Sequence, residues 1–141
     1  MPRGDAFLDH LRNVPLFSAL SRKDLGLVAR RSEDVNVSPG KVLVSEGAPG
    51  SEFFVIIDGT AKVTRQGRKV ATLGPGAAFG ELALLDRAPR NASVVAETPM
   101  ELVVLGQREF AGILDEVPGF ARKLLAGLAH RLREADAKSV Q

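Results

Sequence analysis

Apolar and polar positions follow two different rhythms along this chain, helical at both ends and strand-like in the middle. Near the start, Ala6, Phe7, Leu8 and Leu11 fall on one side of a short helix, which Pro15 closes. A second helix is expected after Ser21, a suitable N-cap, with Asp24 three residues on in a weaker form of the capping box and Leu25, Leu27 and Val28 supplying an apolar side. From residue 35 to 105 the period shortens, and brief apolar segments alternate with Gly40, Gly47, Gly50, Gly59, Gly67, Gly74, Gly76 and Gly80. The run FFVII at 53–57 ends in Asp58-Gly59, which predicts a buried strand and a hairpin turn into 61–65. Gln66-Gly67 predicts a second hairpin. Seven or eight short strands at this spacing predict a sandwich, jelly roll or small barrel rather than a parallel α/β sheet.

After Gly106 the helical period returns. Phe110, Ile113 and Leu114 mark one segment, and Pro118-Gly119 breaks it. In the longer final helix, Ala121, Leu125, Leu128, Leu132 and Ala135 are spaced as the a/d seam of a heptad, with Leu124 widening the stripe. This stripe is expected to pack on the domain's own core; dimerisation and a movable lid are the alternatives.

Composition narrows the partners. The 141 residues are enough for one ordinary domain and too few for two. At 45% hydrophobic and 26% charged, the chain has the balance of a folded globular protein. The formal net charge is only +2 and the basic residues are scattered, so the pI of about 9.3 is weak grounds for a nucleic-acid or membrane partner. Having no cysteine excludes disulfides, thiolate metal sites and a thiol nucleophile. The opening MPRGDAF lacks the apolar core of a signal peptide, and no apolar run approaches membrane-spanning length. A cytoplasmic protein without a membrane segment is the expectation.

Candidate chemistry concentrates in residues 79–94, FGELALLDRAPRNASV. Gly74, Gly76 and Gly80 surround a turn where the backbone needs unusual dihedrals or close approach. Glu81 offers two acceptor oxygens, suited to a ribose 2′-hydroxyl. Leu82, Ala83, Leu84 and Leu85 fit one helical turn, whose first amides attract a phosphate. Arg90 supplies a permanent charge and a planar fork of donors that matches two phosphate oxygens. Ala92 and Ser93 are small enough for a ligand to lie against their backbone. Singly, Glu81 reads as a surface acid and Arg90 as a loop residue or a partner of Asp86. Together across a glycine-rich passage they need mutual pairing or a ligand, because unpaired burial of charge is costly.

FGELALL followed by PRNASV resembles the phosphate-binding cassette of the cyclic nucleotide-binding domain family. That family includes regulatory subunits of cyclic-AMP-dependent protein kinase, catabolite activator protein and cyclic-nucleotide-gated channels. PLFSALSRKDL resembles its N-terminal helical lead-in, GAPGSEFFVIIDGTAKV its glycine-marked central hairpins, and residues 108–133 its C-terminal helices. The resemblance implies a mainly β fold with flanking α: a β jelly roll or double-stranded β-helix barrel, with N-terminal helices over 1–34, the β-roll over 35–106 and two C-terminal helices over 107–137. A single domain then spans residues 1–141. It further implies a ligand site of Gly80, Glu81, Leu82, Ala83, Arg90, Asn91 and Ala92, with Glu81 on the ribose and Arg90 on the cyclic phosphate. Ligand occupancy would draw the C-terminal helices toward the cassette, with Pro118-Gly119 as hinge.

Asn91 departs from the family pattern. Kinase sites selective for cyclic AMP resemble PRAA here, and sites accepting cyclic GMP often carry Thr or Ser after the arginine; cyclic AMP is favoured, with cyclic GMP as the second candidate. The chain has no Trp or Tyr, so the purine cap is sought among Leu124, Leu125, Leu128 and Arg131, or on another chain. With residues 121–141 taken up by the final helix, these 141 residues are expected to leave no room for a helix-turn-helix, kinase, channel or transferase domain. Either the chain is a stand-alone sensor acting on an unknown effector protein, or it is a fragment that lacks its effector domain.

Other classes weaken on inspection. A cupin-like metal enzyme needs clustered histidines, and only His10 and His130 exist, far from the strands. No catalytic residue, metal or resident cofactor is assigned. A DNA-binding reading would rest on Arg122, Lys123, Arg131 and Arg133, which a solvated basic helix face explains better. The stronger rival is a nucleotide-free interaction module, dimerising as a homodimer through Leu125, Leu128 and Leu132.

Overall fold

The computed structural model describes residues 5–80 and 89–139. The chain begins with helix α1 (Asp5–Arg12), passes through tight turns that carry Val14, Phe17 and Leu20 inward, and enters α2 (Arg22–Arg31). Ser21 caps α2 as its sequence predicts: the Asp24 N–H donates to its hydroxyl at 3.1 Å. Leu25, Val28 and Ala29 form the buried side.

Eight strands follow among the described residues: β1 (Glu33–Val37), β2 (Val42–Val44), β3 (Glu52–Asp58), β4 (Ala61–Arg65), β5 (Arg68–Leu73), β6 (Ala78–Phe79), β7 (Ser93–Ala96) and β8 (Met100–Gly106). They form two four-stranded antiparallel sheets, ordered β1-β8-β3-β6 and β2-β7-β4-β5. This is the jelly-roll-like sandwich expected. Helices α3 (Gln107–Glu116) and α4 (Pro118–Ser139) close the chain.

Side-chain alternation on β3 and β8 divides the interior into two cores. Phe54, Ile56, Leu102 and Val104 point between the sheets, where they meet Val44, Ala61, Phe79, Val94 and Ala96. Phe53, Val55, Val103 and Leu105 point the other way, under Leu11, Phe17, Leu25, Phe110, Ile113 and Phe120 of the helical segments. Both faces of these strands are therefore apolar, which is why FFVII is unbroken rather than alternating. Each fully buried side chain of this size stabilises by about 1.5–3 kcal/mol.

Four phenylalanines join the helices to the first sheet. Phe17 stacks on Phe120 at 5.8 Å between ring centroids, and Phe53 meets Phe110 at 4.9 Å and Phe120 at 6.1 Å. Phe120 thus anchors the start of α4 to the lead-in, the sheet and α3 together.

Two expectations need correction. Asp58-Gly59 does not close a hairpin, because β3 and β4 lie in different sheets; the chain turns a corner there. Gly59 (φ +90°) packs so tightly that a Cβ would strike the Pro99 carbonyl and Met100, and this corner packing sets the turn. Gln66-Gly67 does close the β4–β5 hairpin, with φ of 54° and 78°, the double positive φ of a type I′ turn.

The heptad seam of the last helix also divides. Phe120, Leu124 and the half-buried Leu128 pack on the core, whereas Leu125 and Leu132 are 66% and 65% exposed. The core-facing stripe runs through Val117, Phe120, Leu124 and Leu128, at helical rather than heptad spacing. The described side chains from 129 to 134 are all exposed, because α4 has run past the sheet that its first turns cover. Pro118 stands at the first position of α4, where its fixed φ suits a helix start, and the break itself is the single buried residue Val117.

Candidate functional site

A buried arginine marks the site. Pro89 and Arg90 follow the undescribed residues 81–88, and Arg90 is only 8% exposed. Three pieces of chain hold it. Its N–H donates to the Ala48 carbonyl at 2.8 Å, and its own carbonyl accepts from the Gly47 N–H at 2.7 Å, so the turn between β2 and β3 grips its backbone from both sides. Its guanidinium then reaches across: Nη1 donates to the Gly80 carbonyl and Nη2 to the Glu52 carbonyl, each at 2.7 Å.

Both acceptors are neutral, so these bonds fix the fork without cancelling its charge. Burial lowers the Arg90 pKa from its ordinary value, and the Glu52 carboxylate, acting through space, pulls the other way. An arginine remains protonated under such a shift. The result is a permanent cation held rigidly at the junction of both sheets.

Gly80 makes the close approach possible. At φ +99° it sits where side chains are strained, and a Cβ would lie 2.7 Å from the Glu52 carbonyl and 3.0 Å from Arg90 Nη1. Only glycine lets the end of β6, the start of β3 and the arginine converge. The structure thus brings Gly80 and Arg90, two of the residues singled out in the sequence, into direct contact.

The neighbouring residues fall out differently. Ala92 is buried, while Asn91 is exposed, with its carbonyl accepting from Arg65 Nε at 3.1 Å. Ser93 Oγ accepts from the Glu46 N–H at 2.9 Å. Glu81, Leu82 and Ala83, together with the expected helical turn and Asp86, lie outside the described residues. Of the cap candidates, Leu124 is committed to the helix-side core and Leu128 packs against it, while Leu125 and Arg131 are exposed.

Sequence reasoning missed Gly47, Ala48, Glu52 and Arg65. Glu52 and the turn residues act through backbone groups, which any side chain could present, so no residue-type signal marks them. Among the described residues, no group of three His, Cys, Asp or Glu is placed to hold a metal ion. No described helix is long and apolar enough to cross a membrane.

A family model described as "Cyclic nucleotide-binding domain" matches residues 34–117. A cAMP-dependent protein kinase regulatory subunit from Hypocrea atroviridis is 34% identical over 113 residues, covering 80% of this chain and 24% of that protein. The Cyclic AMP receptor protein of Thermus thermophilus is 34% identical over 131 residues, covering 89% of this chain and 61% of that one. Among solved structures, the Catabolite Activator Protein of Thermus thermophilus superposes with a TM-score of 0.81 at 34% identity, over 88% of this chain and 61% of that chain. The present chain thus spans about a quarter of the kinase subunit and less than two thirds of the receptor protein.

Proposed function

Since the chain belongs to the cyclic nucleotide-binding domain family, we propose that it is a regulatory sensor that binds cyclic AMP in preference to cyclic GMP and reports occupancy through its C-terminal helices. One observation supports the reading: a buried guanidinium at Arg90, held by the neutral carbonyls of Gly80 and Glu52. A cyclic phosphate diester carries one negative charge and two outer oxygens, which suit the remaining donors of such a fork. Glu81 is assigned the ribose 2′-hydroxyl, and Gly80, Leu82, Ala83, Asn91 and Ala92 the rest of the pocket. The names of the kinase subunit and the receptor protein support cyclic AMP as the ligand class.

Signal transmission is assigned to the α3–α4 joint. Ligand shifts a conformational equilibrium only if it binds two arrangements unequally. Val117 separates α3, anchored by Phe110 and Ile113, from α4, anchored in its first turn by Phe120, so a change at this joint would swing the exposed length of α4. The exposed Leu125 and Leu132 support a second copy or an effector protein as receiver. We place the module in the cytoplasm, as a binding protein and not an enzyme.

Calorimetric titration of cyclic AMP and cyclic GMP into the purified chain tests the proposal. Micromolar or tighter binding, lost about a hundredfold in Arg90→Ala, is expected for two charge-assisted bonds of roughly 1.5 kcal/mol each. Wild-type affinity in Arg90→Ala would overturn the site. Absence of binding to either nucleotide would leave a nucleotide-free interaction module, for which the Leu125–Leu132 surface is the specific support.

A further inference from the structure

The tip of the β4–β5 hairpin is stitched to the Arg90 segment by side chains. Ladder pairing between β4 and β7 reaches Thr64 and Ser93. Just past that pair, Arg65 Nε donates to the Asn91 carbonyl at 3.1 Å. Beside it, Glu46 bridges the same two segments: its Oε1 accepts from the Gln66 N–H and its own N–H donates to Ser93 Oγ, both at 2.9 Å. The adjoining Gly47 and Ala48 are the residues that grip the Arg90 backbone.

These bonds fall on successive peptide units. Ala48 holds the Arg90 N–H, Gly47 holds the Arg90 carbonyl, and Arg65 holds the carbonyl that follows. Arg65 is itself exposed and contributes nothing to either core, so core packing does not account for its placement. Asn91 is exposed as well, and an untethered exposed residue next to Arg90 would let the chain pivot just where the buried fork must be aimed.

We propose that Arg65 is a positioning residue for the ligand site, acting through the Asn91 carbonyl to hold the Arg90 segment in its binding geometry. The inference rests on the cyclic nucleotide reading above. It makes the hairpin tip, remote in sequence from the cassette, part of the site's support.

The test uses Arg65→Ala, Arg65→Lys and Arg65→Gln, with cyclic AMP as titrant. Lys keeps a charge and a donor, whereas Gln keeps a donor alone, so the pair separates tethering from surface charge. In Arg65→Ala, amide hydrogen exchange over residues 89–93 should quicken in the unliganded protein. Affinity for cyclic AMP should fall about threefold to tenfold, the worth of one exposed hydrogen bond. Both Lys and Gln should recover most of that loss, with the unliganded melting temperature close to wild type in all three. Wild-type exchange and affinity in Arg65→Ala would overturn the proposal. So would an affinity loss that Lys and Gln fail to recover and that tracks a drop in unliganded melting temperature, which would make Arg65 a fold residue. Failure of the wild-type chain to bind either nucleotide would instead overturn the cyclic nucleotide reading and this role with it.

Discussion

The guanidinium of Arg31 grips both carboxylate oxygens of Glu116, at 2.6 and 3.2 Å, although 85 residues separate them in the chain. The pair ties the end of α2 to the end of α3, one residue before the Val117 joint. Gly112 leaves it room, since a Cβ there would come within 3.0 Å of Arg31 Nη1.

This pair sets a pH dependence on the acid side. Hydrogen bonding from Arg31 holds the Glu116 carboxyl below its ordinary value of 4.5. A depressed carboxyl contributes stability that is present above that value and lost as pH falls through the folded-state value. Glu116→Gln should therefore lower the melting temperature slightly at neutral pH and not at all in strong acid. Both side chains are partly solvated, so added salt should shrink the difference. Thermal melts at two salt concentrations across the acid range measure both effects.

Glu101 carries the opposite sign. Burial, then hydrogen bonding with Asp34, raises its pKa above 4.5; the charges of Asp34 and Asp58 act in the same direction and His10 opposes them. A raised carboxyl favours the folded state below its ordinary value, and that advantage disappears as pH climbs through the folded-state value. Glu101→Gln is expected to raise the melting temperature at neutral pH and leave it unchanged in acid. An equal shift at both ends would separate Glu101 from this titration.

Gly80→Ala tests the close approach directly. The added methyl meets the Glu52 carbonyl at 2.7 Å and a positive φ at once, so one of the three converging segments must move. Destabilisation above about 1 kcal/mol is expected, together with weaker nucleotide binding. Gly40→Ala is the control: it has a similar φ of +91° but nothing within 4 Å of the new atom. Its cost should be backbone strain alone, with binding intact. Equal effects in the two variants would show that the Glu52–Arg90 convergence is unimportant.

Along α4, adjacent leucines should behave in opposite ways. Leu124→Ala opens space in the helix-side core and should cost about 2–5 kcal/mol. Leu125→Ala, at a residue 66% exposed, should leave chemical denaturation nearly unchanged. If Leu125 and Leu132 receive a second copy, Leu125→Glu should shift the sedimentation profile toward monomer without changing monomer stability.

Period and punctuation made the architecture legible. The Ser21 cap, the Gln66-Gly67 hairpin and the double-faced run at 53–57 all express local chemistry, and all appear in the structure. The Asp58-Gly59 corner misled because the choice between hairpin and corner depends on which sheet receives the next strand, a long-range matter. The heptad seam misled for a related reason: spacing defines faces of a helix but not how far the helix overlaps its support. In the site, Arg90 and Gly80 were visible by residue type. Glu52, Gly47 and Ala48 were invisible because their backbone, common to every residue, does the holding.

That every ring packed on Phe120 among the aromatic contacts is another phenylalanine has a practical consequence for watching this molecule. With seven Phe, no Trp and no Tyr in the chain, the protein is almost dark to near-ultraviolet absorption and emission. A bound purine would dominate the spectrum of the complex, so co-purified nucleotide would be obvious in an ordinary absorbance scan. A single tryptophan introduced by Phe120→Trp would dominate the emission of the protein, lodged where the lead-in, the first sheet and both closing helices meet.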